Sequence, residues 1–248
     1  TWRCMHGQGV GNQLDSEQSV LWRVMKSQFF YSWAWRYSSR LVTSLTMTPQ
    51  LIKHGLDELA ARDPDVDNII RQIGYPPPRE RPPGFATLVN IIAGQQVSSA
   101  AATAIRDRLY SVVNPLVPDK LLAADNEVLR ATGLSGRKIE YAKGLAEQIC
   151  NGQLDLDCLA EKSDADVVKI LTSVRGLGRW SAEIYLLFSL KRTDVWPAED
   201  LAISEALRVL KSLNLRPNRE QSESLVEHWR PWRGVAALLL WYYYSQKD

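Results

Sequence analysis

The chain has 248 residues, of which 45% are hydrophobic and 23% charged, and its formal net charge is +2 at pH 7. This composition is typical of a globular protein: it is too hydrophobic for a disordered chain, and no apolar run reaches the roughly 18 residues that span a membrane. The three cysteines and three histidines include no CxxC pair and no zinc or iron–sulfur spacing, which predicts a reducing, intracellular setting.

Residues 1–46 differ from the rest of the chain. They contain four of the nine tryptophans and five basic residues against two acidic ones, without a clean helical period. We predict a poorly ordered N-terminal extension here, followed by the main domain at residues 47–248, for which Met47 offers a natural start. A targeting peptide is the alternative, although no compact apolar region with a small-residue cleavage site is evident.

A proline-rich connector, "GYPPPRERPPG", occupies Gly74 to Gly84. Proline removes a backbone donor and is incompatible with a helix interior, so no helix can continue through this segment. We predict that it crosses the surface between two groups of helices.

Almost every segment after Met47 has helical periodicity, and strand-like alternation is scarce. Three segments place apolar side chains on one predicted helix face: Ile105, Leu109, Val112 and Val113; Val167, Leu171 and Val174; and Ile203, Leu207 and Leu210. The predicted starts and stops are N-caps at Asp125, Ser163 or Asp164, and Asp200, and glycines at Gly133, Gly152 and Gly176. The predicted fold class is all-α.

The segment "SVRGLGRWSA" predicts a hairpin between a helix over Asp164–Val174 and a second over Arg179–Leu190. We expect positive φ at Gly176 and Gly178, which lets another backbone approach closely. The free N–H groups of such a turn and of the next helix start form a site suited to phosphate. A simple turn between two packed helices is the alternative interpretation.

The chain resembles the helix-hairpin-helix (HhH-GPD) DNA glycosylases, in particular the 3-methyladenine DNA glycosylase II (AlkA-like) branch. Five segments between about Pro82 and Ser245 carry the resemblance in the family's order: "IIAGQQVSSAAATAI", "LRATGLSGRKIEYAKGLA", "VRGLGRWSAEIYLLF", "DVWPAEDLAI" and "WRPWRGVAALLLWYY". It implies the compact, two-lobed, all-α form with a DNA-binding cleft. Lobe one would comprise residues 47–90 and 193–248, and lobe two residues 91–192.

The resemblance implies that Asp200, 22 residues after Gly178, is the catalytic carboxylate. Cleavage of an N-glycosidic bond passes through an oxocarbenium-like sugar, whose positive charge a fixed carboxylate stabilises. A helix N-terminus favours a negatively charged side chain at this position. A purely structural N-cap is the alternative for Asp200, and Glu199 is the neighbouring candidate for the catalytic role.

Trp180 occupies the position at which strand-cutting relatives carry their Schiff-base lysine. The resemblance therefore implies a monofunctional enzyme that uses water, leaves an abasic site and needs no catalytic cofactor. Lys138 and Lys191 fall outside the motif and are expected to face solvent.

The resemblance also implies a pocket for a flipped base and a wedge that fills the gap. The predicted pocket residues are Trp241, Trp180 and Tyr185, since aromatic faces attract cationic alkylated purines. Where some relatives carry a pocket tyrosine this chain has Ile184. Gln96 is the predicted wedge; it and the preceding Gln95 could equally be buried polar residues that cap the next helix.

Contacts with DNA phosphates are expected at the hairpin, from Gly176, Gly178, Arg179 and Ser181. The family also implies a structural Na⁺ or K⁺ ion held by the backbone carbonyls of Thr172, Val174 and Leu177. The expected partner is double-stranded DNA with damaged bases, bound by a monomer without membrane contact, in the cytoplasm, nucleoid or nucleus.

The predicted activity is excision of alkylated purines such as 3-methyladenine. Two alternatives stay open: a glycosylase of the same fold for uracil, hypoxanthine or an oxidised purine, and a non-catalytic helix-hairpin-helix module that only binds DNA. Asp200 argues against the module, because phosphate binding gives no reason to place a carboxylate near the DNA backbone.

Overall fold

The computed structural model describes residues 47–246, and no β-strand occurs among them. The α-helices are α1 Pro49–Arg62, α2 Pro64–Ile73, α3 Phe85–Gly94, α4 Ser99–Val112, α5 Pro118–Ala123, α6 Asn126–Ala131, α7 Gly136–Cys150, α8 Asp164–Ser173, α9 Arg179–Phe188, α10 Leu201–Leu210, α11 Arg219–Leu225 and α12 Arg233–Ser245, with 3₁₀ turns at Asp157–Glu161 and Glu227–Trp229. The all-α prediction is confirmed. The extension predicted for residues 1–46 lies outside the described residues.

The helices pack in two sets. In the first, α12 packs against α1 and α10, and α1 packs against α2. In the second, α3 contacts α4, α7 and α9, while α5 and α6 pack on α7 and α8 packs on α9. The lobe boundary expected at residue 90 falls inside α3, which packs in the second set. Along the chain, the first set is instead divided from α3 by the connector at residues 74–84, which contains no helix. None of the described helices is long and apolar enough to cross a bilayer.

The predicted helix ends match the structure closely. Asp125, Ser163 and Asp200 each accept a backbone N–H at the start of a helix, as their N-cap assignment requires. One residue assigned to an apolar helix face is not buried with the others: Val112 is 47% exposed. The reason is that α4 ends there, and the extended C-cap residue Val113 takes the buried place instead.

The first turn of α12 fixes the helix that carries Trp241. The Gly234 N–H donates to the Thr193 carbonyl at 2.7 Å, and a Cβ at Gly234 would lie 2.7 Å from Leu187 Cδ2. Arg233 also donates to the Asp194 carboxylate at 2.9 Å. The end of α9, the following loop and α12 are therefore held together within a space that excludes a side chain at residue 234.

A buried carboxylate, Asp63, joins four segments of the first helix set. It caps α2 by accepting the Asp65 N–H, and its oxygens lie 2.9 Å from His228 Nε2, 2.7 Å from Trp229 Nε1 and 3.0 Å from Lys211 Nζ. Burial opposes ionisation, but these hydrogen bonds outweigh it and hold the pKa of Asp63 well below its ordinary value. Asp63 thus stabilises the fold in its charged form.

We expect Asp63→Asn to lower the free energy of unfolding at neutral pH by about 2 kcal/mol, because the charged partner of a buried network is lost. The folded pKa is depressed, so the stabilisation is complete above the unfolded value of 3.8 and is lost as pH falls further. In urea unfolding, the gap between wild type and variant should narrow progressively as pH falls below 3.8.

The control for this prediction is Asp65→Asn. Asp65 also contacts Lys211, at 2.7 Å, but its side chain is 46% exposed, so its loss should cost less than about 1 kcal/mol. Equal stability of the two variants would contradict the role assigned to Asp63.

Candidate active site

Asp200 lies at the end of a buried loop. Val195, Trp196, Pro197 and Ala198 are all buried, and Trp196 Nε1 donates to Ser222 Oγ at 2.8 Å. The Asp200 N–H donates to the Pro197 carbonyl at 2.9 Å, which closes a turn directly before α10. The anchored loop therefore fixes the backbone from which the carboxylate extends.

The Asp200 carboxylate accepts four hydrogen bonds. Oδ1 accepts the backbone N–H groups of Ala202 and Ile203 at 3.0 and 3.1 Å, together with Trp241 Nε1 at 3.0 Å. Oδ2 accepts Trp180 Nε1 at 2.9 Å. The side chain is only half-buried. Groups from three helices thus orient one carboxylate and leave part of it accessible. Asp200 is both the N-cap of α10 and the acceptor of the two tryptophan N–H groups.

Glu199, the neighbouring candidate, faces a different group. It is exposed, and its Oε1 accepts Arg219 Nε at 3.1 Å. Arg219 in turn contacts Glu183 at 3.3 Å and Glu223 at 3.0 Å. Glu199 is therefore part of an ion-pair network with Arg219, whereas the two indoles donate to Asp200.

Glu183 is the buried centre of that network and was not found from the sequence. Its Oε1 accepts Arg179 Nε at 2.9 Å, while Oε2 has no hydrogen-bond partner. Burial raises the pKa of Glu183, against the opposing effect of Arg179 and Arg219. The network joins α9 to α11 and to the loop before Asp200. The Arg179–Glu183 and Arg219–Glu223 pairs follow helical spacing, but the contacts of Arg219 with Glu183 and Glu199 join distant segments and could not be predicted from the sequence.

The structure brings two of the three predicted pocket aromatics together. Trp180 and Trp241 both reach Asp200, and the Phe188 ring packs on Trp241 with centroids 5.3 Å apart. Tyr185 is wrong as a pocket residue: it is 0% exposed, and its hydroxyl accepts the Gly84 N–H at 2.9 Å. Its ring has no free surface for a base, and burial raises its pKa.

The hairpin turn needs glycine at one position only. Gly176 has φ +93°, and a Cβ there would overlap the Tyr141 side chain at 2.2 to 2.6 Å. Gly178 does not have the predicted positive φ: its backbone is extended, with φ −88° and ψ 178°, because it is the N-cap of α9. A Cβ at Gly178 would meet open space.

The other two predicted phosphate ligands differ in accessibility. Arg179 is exposed, although its guanidinium pairs with Glu183. Ser181 is 2% exposed, and its hydroxyl accepts Gln95 Nε2 at 3.1 Å. The Ser181 hydroxyl is therefore engaged inside the protein, so the predicted phosphate contact of Ser181 cannot come from its side chain.

Gln95 and Gln96 have separate places. Gln96 is exposed in the turn between α3 and α4 and has φ +55°, an uncommon conformation for a residue with a side chain. Gln95 turns inward, and its Nε2 also donates to the Gly176 carbonyl at 2.9 Å. Gln95 therefore ties the turn that carries Gln96 to the hairpin, a link that the sequence did not reveal.

A family model described as HhH-GPD superfamily base excision DNA repair protein matches residues 89–231. This range contains the hairpin, both glutamines and Asp200. The chain belongs to this superfamily. DNA-3-methyladenine glycosylase 1 of Schizosaccharomyces pombe is 36% identical over 208 residues, which cover 81% of this chain and 88% of that protein.

Solved structures agree with this assignment. The Schizosaccharomyces pombe 3-methyladenine DNA glycosylase (Mag1) in complex with abasic DNA superposes with a TM-score of 0.72 at 33% identity, over 76% of this chain and 95% of that one. A Bacillus halodurans DNA-3-methyladenine glycosidase gives a TM-score of 0.60 at 30% identity, over 75% of this chain and 91% of that one. The predicted fold family is confirmed.

The lysines considered as amine nucleophiles have other partners in this HhH-GPD chain. Lys138 does not face solvent as expected: its Nζ donates to the Ala93 and Gln95 carbonyls, each at 2.8 Å, and burial lowers its pKa. Lys191 pairs with Glu80 at 3.2 Å. Lys138 therefore holds the end of α3 and the backbone beside the predicted wedge.

The hairpin carbonyls expected to bind a monovalent cation differ in whether they accept a backbone hydrogen bond. The Val174 carbonyl accepts the Leu177 N–H at 3.0 Å, which uses one of its two lone pairs. Neither the Thr172 nor the Leu177 carbonyl accepts a backbone hydrogen bond in the turn. The carbonyls of the described turn therefore have oxygen lone pairs free, which fits a hard cation that prefers oxygen ligands.

Proposed function

We propose that this protein is a monofunctional DNA-3-methyladenine glycosylase. It binds double-stranded DNA, extrudes an alkylated purine and hydrolyses its N-glycosidic bond, leaving an abasic site. The observation that carries the proposal is the Asp200 carboxylate, held by Trp180 and Trp241 in a chain that belongs to the base-excision superfamily. The names of the relatives support the alkylated base as substrate.

Asp200 acts on the sugar. As the glycosidic bond lengthens, positive charge develops on the sugar, and a carboxylate fixed beside it lowers the energy of that state. Oδ1 accepts three hydrogen bonds and Oδ2 accepts one. Oδ2 therefore keeps the greater free acceptor capacity, which it can offer to the sugar cation and to the attacking water.

Trp180 and Trp241 serve the base as well as the carboxylate. Their indole N–H groups are directed to Asp200, so each ring is held at a defined angle next to the reacting bond. An alkylated purine carries positive charge, and the face of an indole attracts a cation. The two tryptophans should therefore bind a positively charged alkylated purine more tightly than an uncharged purine.

The hairpin and the Gln96 turn supply the DNA contacts of this proposal. The N–H groups at the start of α9 face outward beside Gly178, where a phosphate can approach the backbone. A Na⁺ or K⁺ ion on the Thr172, Val174 and Leu177 carbonyls would add positive charge at the same place. Gln96 would fill the gap left by the extruded nucleotide. We propose that the enzyme acts as a monomer in the compartment that holds the DNA.

We expect Asp200→Asn to bind duplex DNA as tightly as wild type but to release base at least about 10²-fold more slowly, because one charge-stabilising group is lost. The measurement is single-turnover release of free base from duplexes that contain 3-methyladenine, 7-methylguanine, hypoxanthine, uracil or 8-oxoguanine. The same panel determines which lesions are substrates.

Glu199→Gln is the matched control, since it changes the adjacent carboxylate while leaving Asp200 in place. It should keep excision within a few-fold of wild type. Normal turnover by Asp200→Asn, or an equal loss in both variants, would contradict the catalytic assignment. Absence of base release from every duplex by wild type would favour the binding module.

The product is expected to be an intact strand with an abasic site. Trp180 carries no amine, and the Lys138 ammonium is engaged by two carbonyls, so no Schiff base should form. Borohydride added during turnover should trap no enzyme–DNA adduct on a denaturing gel. A trapped species that disappears in Lys138→Gln would show instead that this lysine is the nucleophile.

The two hairpin glycines should respond differently to alanine. Gly176→Ala should lower the melting temperature, because positive φ alone costs about 1–2 kcal/mol and the new Cβ meets Tyr141. Gly178→Ala should lower the melting temperature less than Gly176→Ala, because it only replaces a glycine N-cap by a poorer one, and should weaken binding to damaged and undamaged duplexes alike, since its Cβ occupies space open to a phosphate. Unchanged affinity of Gly178→Ala would show that DNA does not approach there.

A further inference from the structure

Three arginines outside the hairpin, Arg79, Arg81 and Arg106, lie close enough for the charges of the other two to act on Arg81, and they have little acidic compensation; they are called the cluster below. Arg79 and Arg81 lie in the connector and Arg106 lies on α4. Within residues 47–246 no carboxylate forms an ion pair with Arg79 or Arg81. Glu80, which lies between them in sequence, pairs with Lys191 instead. Arg106 approaches one carboxylate among the described residues, that of its neighbour Asp107 at 3.9 Å, and also donates to the Thr103 hydroxyl at 3.3 Å. Packing against the protein and the like charges of Arg106 and Arg79 lower the pKa of Arg81.

The cluster is linked to the active site through two aromatic rings. Arg81 Cζ lies 5.3 Å from the centroid of the Phe188 ring, and Phe188 lies 5.3 Å from Trp241, which donates to Asp200. The Arg81 N–H also donates to the Phe188 carbonyl at 3.1 Å. Backbone and side chain therefore both hold Arg81 beside the aromatic wall of the site.

The cluster and the hairpin lie at opposite ends of α9. The hairpin precedes Arg179, whereas Phe188 is the last residue of the helix. Ten helical residues span about 15 Å, so the two positive sites are separated by roughly that distance. Arg106 belongs to α4, which begins three residues after Gln96. The cluster thus lies on the connector that precedes α3 and on α4, the helix that follows the Gln96 turn.

Uncompensated guanidinium groups repel one another, and an anion placed among them relieves the repulsion. A guanidinium stacked on a ring keeps its N–H edges free and can bind two phosphate oxygens at once. We propose that Arg79, Arg81 and Arg106 bind backbone phosphates of the DNA, as a second phosphate site in addition to the hairpin. This inference rests on DNA being the substrate.

The test measures equilibrium binding of the full chain to an undamaged duplex and to a duplex with a tetrahydrofuran abasic analogue, at several salt concentrations. Each arginine that meets a phosphate should contribute about 0.9 to the slope of log affinity against log salt. We expect Arg79→Gln, Arg81→Gln and Arg106→Gln each to reduce the slope by about that amount and to weaken binding. Arg81→Lys, which keeps the charge, should have the same slope as wild type.

Arg71→Gln is the control, because Arg71 is 77% exposed on α2 and pairs with Asp67 there. It should leave the slope unchanged. Arg79→Gln and Arg106→Gln should melt at or above the temperature of wild type, since they remove like-charge repulsion, and this separates lost binding from lost folding. A slope equal to that of Arg71→Gln in all three variants would overturn the proposal.

Base release by the same proteins separates this inference from the proposed function. Reduced slopes together with no base release by wild type would support the phosphate site and refute the glycosylase. An effect of Arg81→Gln on excision of one lesion, with the salt slope unchanged, would overturn the phosphate site and make Arg81 a wall of the base pocket. Absence of any duplex binding by wild type would refute both.

Discussion

Four N–H groups converge on the Asp200 carboxylate, and the remaining structure can be understood as the means of bringing them together. They come from the start of α10, from Trp180 on α9 and from Trp241 on α12. Because the tryptophans are 61 residues apart in sequence, the carboxylate is oriented only when the two helix sets are assembled. Glycine at position 234 lets α12 approach the end of α9 closely, and the ion pairs of Glu183 connect α9 to α11.

The elements that would contact DNA are joined in the same way. Gln95 connects the Gln96 turn to the hairpin, and Lys138 binds the carbonyls at the end of α3. Their polar side chains are used inside the protein, where they fix the turn next to them. A site built so rigidly places its groups before the substrate arrives, which avoids the cost of ordering them during the reaction.

Features with local causes could be predicted from the sequence. The caps at Asp125, Ser163 and Asp200 depend on one residue and the helix that follows it. Gly178 was misjudged because a glycine pattern does not reveal which residue is the N-cap. The motif placed Tyr185 near the pocket but could not show that Gly84, 101 residues earlier, engages its hydroxyl. The networks of Asp63 and Glu183 depend on tertiary contacts that no spacing specifies.

The indole at position 180 has a consequence for the evolution of a new product. A lysine there would introduce an amine but would also remove the donor to Asp200 Oδ2 and one aromatic face beside the reacting bond. Strand cleavage could therefore not be acquired by that single replacement without loosening the carboxylate that we propose acts in the first chemical step. A second change that supplies another donor to Oδ2 would have to come first or at the same time. A single substitution of Trp180 by lysine is therefore not expected to convert the proposed water-dependent glycosylase into a lyase.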